Sequence, residues 1–155
     1  MLLRKLHFEI YADYYQFYLE CESSPHKSDE VWDAENIAFN RMLGVGEKLI
    51  AVGTKRYETV PVSIEFHDCE SVLELEKYSR INECSLEVTS NKLVLSGCTE
   101  YLPDAARIEV EPATYRVRVL YGNLETVKND VEGDDFYILQ LWKDDSFRGV
   151  KTLKP

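Results

Sequence analysis

A chain of 155 residues with 45% hydrophobic residues is long enough for one well-buried core and too short for two ordinary domains, so we predict a single domain over residues 1–155. The 28 acidic and 18 basic residues give a net charge of -10, which argues against direct binding to nucleic acid or to an anionic membrane, since both require a positive surface. A partner selected by charge is therefore expected to be a basic protein, with solubility as the alternative reason for the acidity.

Targeting and membrane-spanning signals are not found in the sequence. Residues 1–8 lack the long apolar run of a secretory signal, and Glu9 follows them directly. The longest aliphatic stretch, residues 49–52, is far below the roughly 20 residues that cross a bilayer. We therefore expect a cytoplasmic protein without a membrane partner, and the sequence leaves its oligomeric state open.

The four cysteines are Cys21, Cys69, Cys84 and Cys98. No two of them form a CxxC pair, which excludes a zinc ribbon and a thioredoxin-like motif. Free thiols are expected in a reducing compartment. The alternative is a disulfide between Cys84 and Cys98, which would lie opposite each other if residues 90–92 formed a three-residue hairpin loop.

The first two predicted strands cover residues 5–11 and 14–22. In the second strand Phe17, Leu19 and Cys21 lie on one face. The other face carries Gln16, Tyr18, Glu20 and Glu22, and this alternation is typical of a half-buried antiparallel strand. An exposed loop follows. The two strands together indicate that the chain begins with antiparallel β-structure.

A short helix is predicted over residues 34–43. Asp33 is expected to cap its first turn, and Gly44 and Gly46 are expected to end it. Because the segment is short and follows an exposed loop, we expect the helix to lie at the periphery of a β fold.

Seven further strands are predicted, at residues 47–53, 59–66, 85–88, 93–96, 107–110, 115–121 and 135–142. We expect 47–53 and 59–66 to pair with each other, and Ser90-Asn91 to join 85–88 and 93–96 as a hairpin. The total of about nine short strands predicts an all-β fold: a two-sheet antiparallel β-sandwich with one short peripheral helix.

Candidate catalytic motifs are few, and each has a structural explanation. The glycine-rich residues 44–49 lack the spacing and the Ser or Thr of a phosphate-binding loop, so we interpret them as the end of the helix. His67-Asp68-Cys69-Glu70 combines a base, a nucleophile and two carboxylates, but successive strand residues point to opposite faces, which favours a turn at a strand end. We therefore predict no catalytic residue, no enzymatic activity and no cofactor.

The loop before the last predicted strand concentrates negative charge, with seven acids against two lysines over residues 125–145. We predict a partner-binding site made of Asp130, Glu132, Asp134, Asp135, Tyr121 and Tyr137. Tyr14 and Tyr18 are expected to be further exposed aromatic anchors. A second stretch, residues 57–76, has six acids and no lysine or arginine, and would extend the negative face if the fold brings it close.

Two alternatives to this binding site stay open. In the first alternative, the tyrosines pack across strands within the sheet, which is the commoner arrangement. Otherwise the domain binds a small molecule or a carbohydrate, using residues 129–135 with Tyr121, Tyr137 or Trp142 and a hard cation such as calcium in the acidic loop. That loop does not match the EF-hand pattern, so we predict no metal ligand.

Scattered aromatic and aliphatic positions resemble a known family. They are the run Ala12-Asp13-Tyr14-Tyr15-Gln16-Phe17-Tyr18, then Trp32, Pro61-Val62, Leu93, Tyr115 and Tyr137-Ile138. In this order, and over most of the chain, they are similar to the small bacterial competence nuclease-inhibitor proteins. Residues 111–114 depart from that pattern because they lack a glycine, and residues 133–142 are more similar to uncharacterised bacterial proteins. The resemblance implies a non-enzymatic, acidic β protein that occupies the basic nucleic-acid groove of a nuclease.

Overall fold

The computed structural model describes residues 1–33 and 35–155, and its strands form two sheets packed face to face. The strands are β1 Leu2–Tyr11, β2 Gln16–Cys21, β3 Leu43–Gly46, β4 Leu49–Gly53, β5 Thr59–His67, β6 Arg80–Val88, β7 Lys92–Gly97, β8 Ala106–Glu109, β9 Ala113–Gly122, β10 Phe136–Lys143 and β11 Lys151–Lys154. The six-stranded sheet has the order β1-β5-β10-β9-β6-β11, and the five-stranded sheet has the order β3-β4-β2-β7-β8. A short helix, α1 (Ile37–Arg41), precedes β3.

The core lies between the two sheets and follows from the alternation of side chains along each strand. Phe17, Leu19 and Cys21 of β2 are buried in it, as the sequence predicts. Val117 and Val119 of β9 enter the same core from the six-stranded sheet. Because both sheets contribute a continuous apolar face, each excludes water from the other.

The prediction of an all-β fold with two sheets and one short helix is confirmed, and two of its details are wrong. The six-stranded sheet is mixed rather than antiparallel, because β10 runs parallel to β5 with Tyr137 opposite Val62. The described residues contain 11 strands, not nine. The two missed strands are β3 and β11, of four residues each, and β3 contains the glycines that were assigned to the end of the helix.

Two of the predicted strand pairs are also wrong. Strand β6 belongs to the six-stranded sheet and β7 to the five-stranded sheet, so Ser90-Asn91 connects the two sheets instead of forming a hairpin. Strands β4 and β5 are divided between the sheets in the same way. In each case the two strands face one core from opposite sides, which gives the same apolar pattern as a hairpin with one buried face.

The Cys84–Cys98 alternative fails for the same reason. Cys84 lies in β6 opposite Val117 and faces the core, whereas Cys98 follows β7 of the other sheet. The sulfur of Cys98 lies 3.3 Å from the Tyr18 hydroxyl. All four cysteines are free thiols.

The helix is shorter than predicted and begins at Ile37. The predicted first residue, Ala34, lies outside the described residues. The Asp33 carboxylate accepts a hydrogen bond of 3.1 Å from the Ala38 amide, so this acid does bind the first turn. The helix ends at Arg41 because Met42 adopts a left-handed conformation with a φ of 65°, before either glycine is reached.

Candidate protein-binding site

Three connections between strands meet at one end of the sandwich. They are residues 12–15, residues 54–58 and residues 123–135, and Tyr11 at the end of β1 adjoins the first of them. The Thr54 amide donates to the Tyr15 carbonyl at 2.8 Å, and the Tyr57 amide donates to the Asp130 carbonyl at 2.7 Å. These bonds join the three connections into one surface, which we call the tip.

Three of the predicted site residues, Asp130, Glu132 and Asp134, are exposed on the tip. The loop turns back on itself where the Lys128 amide donates to the Glu132 carbonyl at 2.7 Å. Asn129 and Asp130 both have a positive φ, of 53° and 63°, a conformation that Asn and Asp adopt more readily than most residues. The loop therefore holds its carboxylates in solvent on a defined backbone.

The other three predicted residues are not at the surface, so their assignment to an exposed site is wrong. Tyr121, Tyr137 and Asp135 are each 0% exposed. Tyr121 and Tyr137 are directly paired between β9 and β10 and point into the core, where their ring centroids are 5.9 Å apart. This is the cross-strand packing that was the alternative for these tyrosines.

Tyr18 is also buried rather than exposed. It packs on the outer side of the five-stranded sheet against Val31, Leu49 and Ala51. Its hydroxyl donates to the Gln16 side-chain oxygen at 2.6 Å. The segment that contains Val31 covers this face, and alternation along β2 did not predict that cover.

Asp135 has a structural role beneath the tip. Its carboxylate lies 2.8 Å from Nε of Arg56 and accepts a hydrogen bond of 2.7 Å from the Tyr137 hydroxyl. The same hydroxyl accepts a bond of 2.9 Å from the Lys55 amide. Asp135 thus fixes residues 54–58 against the start of β10, and its charge is neutralised by Arg56.

The tip also carries a group of tyrosines, of which the sequence predicted only Tyr14. Tyr57 lies at its centre, and the rings of Tyr11, Tyr14 and Tyr15 meet it edge to face at centroid distances of 6.1, 5.9 and 5.0 Å. The three outer tyrosines are 50%, 60% and 39% exposed. We call these four residues the tyrosine cluster. Its signal in the sequence is the Tyr14-Tyr15 pair, which interrupts the alternation of the strand that was predicted there.

The backbone beneath the cluster is unusual. Tyr14 and Tyr15 have positive φ angles of 56° and 61° in a 3-10 turn between β1 and β2. Bulky residues seldom adopt this conformation, and strain of this kind concentrates at functional sites. The turn points two consecutive aromatic side chains outward where a regular strand would bury one of them.

Hydrogen bonds link the cluster to the carboxylates around it. Hydrogen bonds from Thr99 and then Tyr57 lower the pKa of Asp13, and the bond to Asp13 is the main cause that raises the pKa of Tyr57 to about 12. The Tyr15 hydroxyl donates to the Asp130 carboxylate at 3.2 Å. At neutral pH Asp13 is therefore ionised and Tyr57 is not.

The exposed charges of the tip are mostly acidic. Some exposed acids elsewhere have basic partners, as in the Lys143–Glu111 pair at 2.6 Å and the Arg107–Glu22 pair at 3.2 Å, and others make no salt bridge within the described residues. Within residues 1–33 and 35–155, six acids of the tip make no salt bridge: Asp13, Glu58, Glu125, Asp130, Glu132 and Asp134. The tip therefore has more exposed acids than exposed bases, of which Lys55 and Lys128 are the examples in its loops.

The second acidic stretch, residues 57–76, contributes only Glu58 to the tip. Glu65 is buried within the six-stranded sheet, where it bonds Nε2 of His67 at 2.9 Å. His67 therefore pairs with a carboxylate of its own strand and not with Asp68. The motif at residues 67–70 forms the end of β5 and the turn after it, as predicted.

A cavity of about 640 Å³ opens at the opposite end of the sandwich. Phe66 and Tyr115 form part of its wall, with the Arg4 guanidinium 4.4 Å from the centre of the Phe66 ring. The Arg4 side chain also donates to the Glu109 carbonyl, and the Lys143 amine is paired with Glu111. The polar groups of this cavity are thus already engaged with one another.

Among the described residues, no three His, Cys, Asp or Glu side chains are grouped so that they would hold a metal ion. No helix of the described chain is long and apolar enough to cross a membrane. The calcium alternative for the acidic loop gains no support from this geometry.

Comparison with known proteins gives similarity in structure only. No protein-family model matches the sequence, and no curated protein matches it. The fold is similar to that of ComJ from Bacillus subtilis, an inhibitor of the DNA-degrading activity of NucA, with a TM-score of 0.67 and 14% identity over 93% of this chain and 98% of that one. A solved structure of crocagin biosynthetic gene J has a TM-score of 0.57 and 15% identity over 90% of this chain and 96% of that one. The predicted resemblance to the competence nuclease-inhibitor proteins is therefore confirmed at the level of the fold.

Proposed function

We propose that this protein is a non-enzymatic protein-binding domain, and that its tip inhibits a basic nuclease by binding to it. The observation that carries the proposal is the grouping of exposed carboxylates beside exposed tyrosines on the tip. The fold shared with ComJ, an inhibitor of a DNA-degrading activity, supports the choice of a nuclease as the partner.

The physical basis is competition for the nuclease's positive surface. A nuclease holds the phosphates of its substrate with lysine and arginine side chains. Carboxylates projecting from Asp130, Glu132 and Asp134 would bind the same side chains and block access of the nucleic acid. The exposed tyrosines would add buried aromatic area, which dominates the binding energy in many protein interfaces.

The test is capture of a basic protein from the host lysate at low and at high salt, followed by a DNA-degradation assay with the captured protein. We expect the purified domain to suppress DNA degradation. The double variant Asp130→Lys with Asp134→Lys is expected to weaken binding by about 100-fold, because two favourable charge contacts become repulsive.

A matched control separates a local effect from one of net charge. Glu76→Lys with Glu87→Lys changes the net charge by the same amount at exposed acids outside the tip, and is expected to leave affinity within about threefold of the parent. Equal loss in both double variants would contradict binding through the tip. A captured protein without nuclease activity would contradict the choice of partner.

The small-molecule or carbohydrate alternative loses the aromatic residues on which it was based. Tyr121, Tyr137 and Trp142 are all buried, so none of them offers a ring face to a sugar at the surface. Asp135 is paired with Arg56 and is not available to a cation. We therefore propose no second function.

A further inference from the structure

The tyrosine cluster is a candidate for recognition beyond simple attraction between charges. Four aromatic rings are grouped at the surface, although monomeric proteins usually bury large aromatic side chains. The Tyr15 hydroxyl donates a hydrogen bond of 3.2 Å to the Asp130 carboxylate, and Asp13 lies next to Tyr14 in the same turn. Carboxylates and aromatic faces therefore meet in one place, with no basic side chain of the described chain in a salt bridge to either acid.

This combination suits a cation that has a flat apolar face. The faces of aromatic rings are negative, and a phenol ring becomes more electron-rich when its hydroxyl donates a hydrogen bond to a carboxylate. The ring face then attracts a cation, while the carboxylate accepts its hydrogen bonds. Because Tyr14 is the most exposed ring of the cluster, it offers the largest free surface for such stacking.

Arginine meets these requirements better than lysine. Its guanidinium is planar, weakly hydrated and able to stack on a ring while it donates two parallel hydrogen bonds to a carboxylate. The lysine ammonium is compact, strongly hydrated and has no face to stack. The molecule itself contains two contacts between a guanidinium and an aromatic ring. Arg4 lies 4.4 Å from the centre of the Phe66 ring, and Arg118 lies 5.1 Å from that of Trp142.

We infer that the tyrosine cluster, with Asp13 and Asp130, binds an arginine side chain of the partner protein. This inference rests on the proposed function, since it assigns the chemistry by which the same tip recognises a basic protein. The acidic loop supplies long-range attraction, and the cluster supplies selectivity for arginine.

The test uses two capped peptides of equal charge, Gly-Arg-Gly-Arg-Gly and Gly-Lys-Gly-Lys-Gly. Each is titrated into the protein carrying ring-labelled tyrosine, and binding is followed by NMR at low salt. We expect the signals of Tyr14 and Tyr57 to shift, and the arginine peptide to bind about threefold more tightly than the lysine peptide, as an exposed cation–π contact provides.

The variant Tyr14→Leu keeps an apolar side chain but removes the ring, and we expect it to lose the preference for arginine. Phe147→Leu is the matched control, because Phe147 is an equally exposed aromatic residue outside the tip, and it is expected to keep the preference. Backbone NMR spectra establish that both variants are folded.

Two outcomes would overturn the inference. Equal affinity for the two peptides, abolished by Asp130→Lys with Asp134→Lys, would mean that charge alone acts, and would leave the proposed function standing. Absence of any shift in the tyrosine signals would exclude the cluster as a cation site. The capture and DNA-degradation assays decide the proposed function independently of either result.

Discussion

Asp134 and Asp135 are neighbouring acids in opposite surroundings. Asp134 lies in solvent on the tip, whereas Asp135 is fully buried against Arg56 and Tyr137. The sequence places both in one run of acids, and nothing in that run marks Asp135 as the one that precedes β10 and turns inward. The buried position depends on Arg56, which is remote in sequence, so local patterning could not predict it.

Replacement of Asp135 by alanine is expected to destabilise the fold by about 3–5 kcal/mol, because it leaves a guanidinium in a largely buried site without its counter-charge. The Tyr137 hydroxyl would lose its acceptor at the same time. The measurement is urea unfolding at pH 7. Asp134→Ala is the control and is expected to change the free energy of unfolding by less than about 0.5 kcal/mol. A similar effect of both substitutions would contradict the role of the ion pair.

The elements show which parts of a β-sandwich can be predicted from local sequence. Alternation identified β2 and its buried face correctly because the pattern depends only on neighbouring residues. It could not assign β6 and β7 to different sheets, since a chain crossing between two sheets has the same turn residues as a hairpin. Local sequence could not predict the tip either, because Tyr57 and Tyr14 come from connections distant in sequence and only the fold brings them together.

Gly44 allows β3 to pack closely against the segment that contains Val31. A Cβ atom at this position would lie 2.7 Å from the Val31 carbonyl oxygen, on the segment that covers the five-stranded sheet. Gly44→Ala is therefore expected to displace that segment and to lower the free energy of unfolding by about 1–3 kcal/mol.

Thermal unfolding measures this effect, with Gly149→Ala as the control. No atom lies within 4 Å of a Cβ built at Gly149, and its φ is not positive, so this substitution is expected to be neutral or slightly stabilising. Loss of stability in the control alone would contradict the steric explanation.

For the whole molecule, a net charge of -10 attracts a basic partner over a distance, and the tip is the surface where we propose that it binds. We expect the association rate with a basic nuclease to fall about tenfold between roughly 10 and 150 mM salt, since screening shortens the range of attraction. Stopped-flow mixing measures this rate. The dissociation rate is expected to change much less, because contacts buried in the interface are screened less. A salt-independent association rate would contradict electrostatic steering.

The parallel pairing of β5 with β10 also affects how the chain reaches its native state. Tyr137 and Val62 are about 75 residues apart in sequence, yet they are neighbours in the centre of the six-stranded sheet. A nascent chain that lacks residues 136–143 has β5 paired with β1 on one side and an unpaired row of backbone groups on the other. Closing so long a loop is slow, and an uncovered strand edge is prone to aggregation until it closes. We therefore expect the domain to fold only after translation has passed residue 143, and to depend on chaperones up to that point.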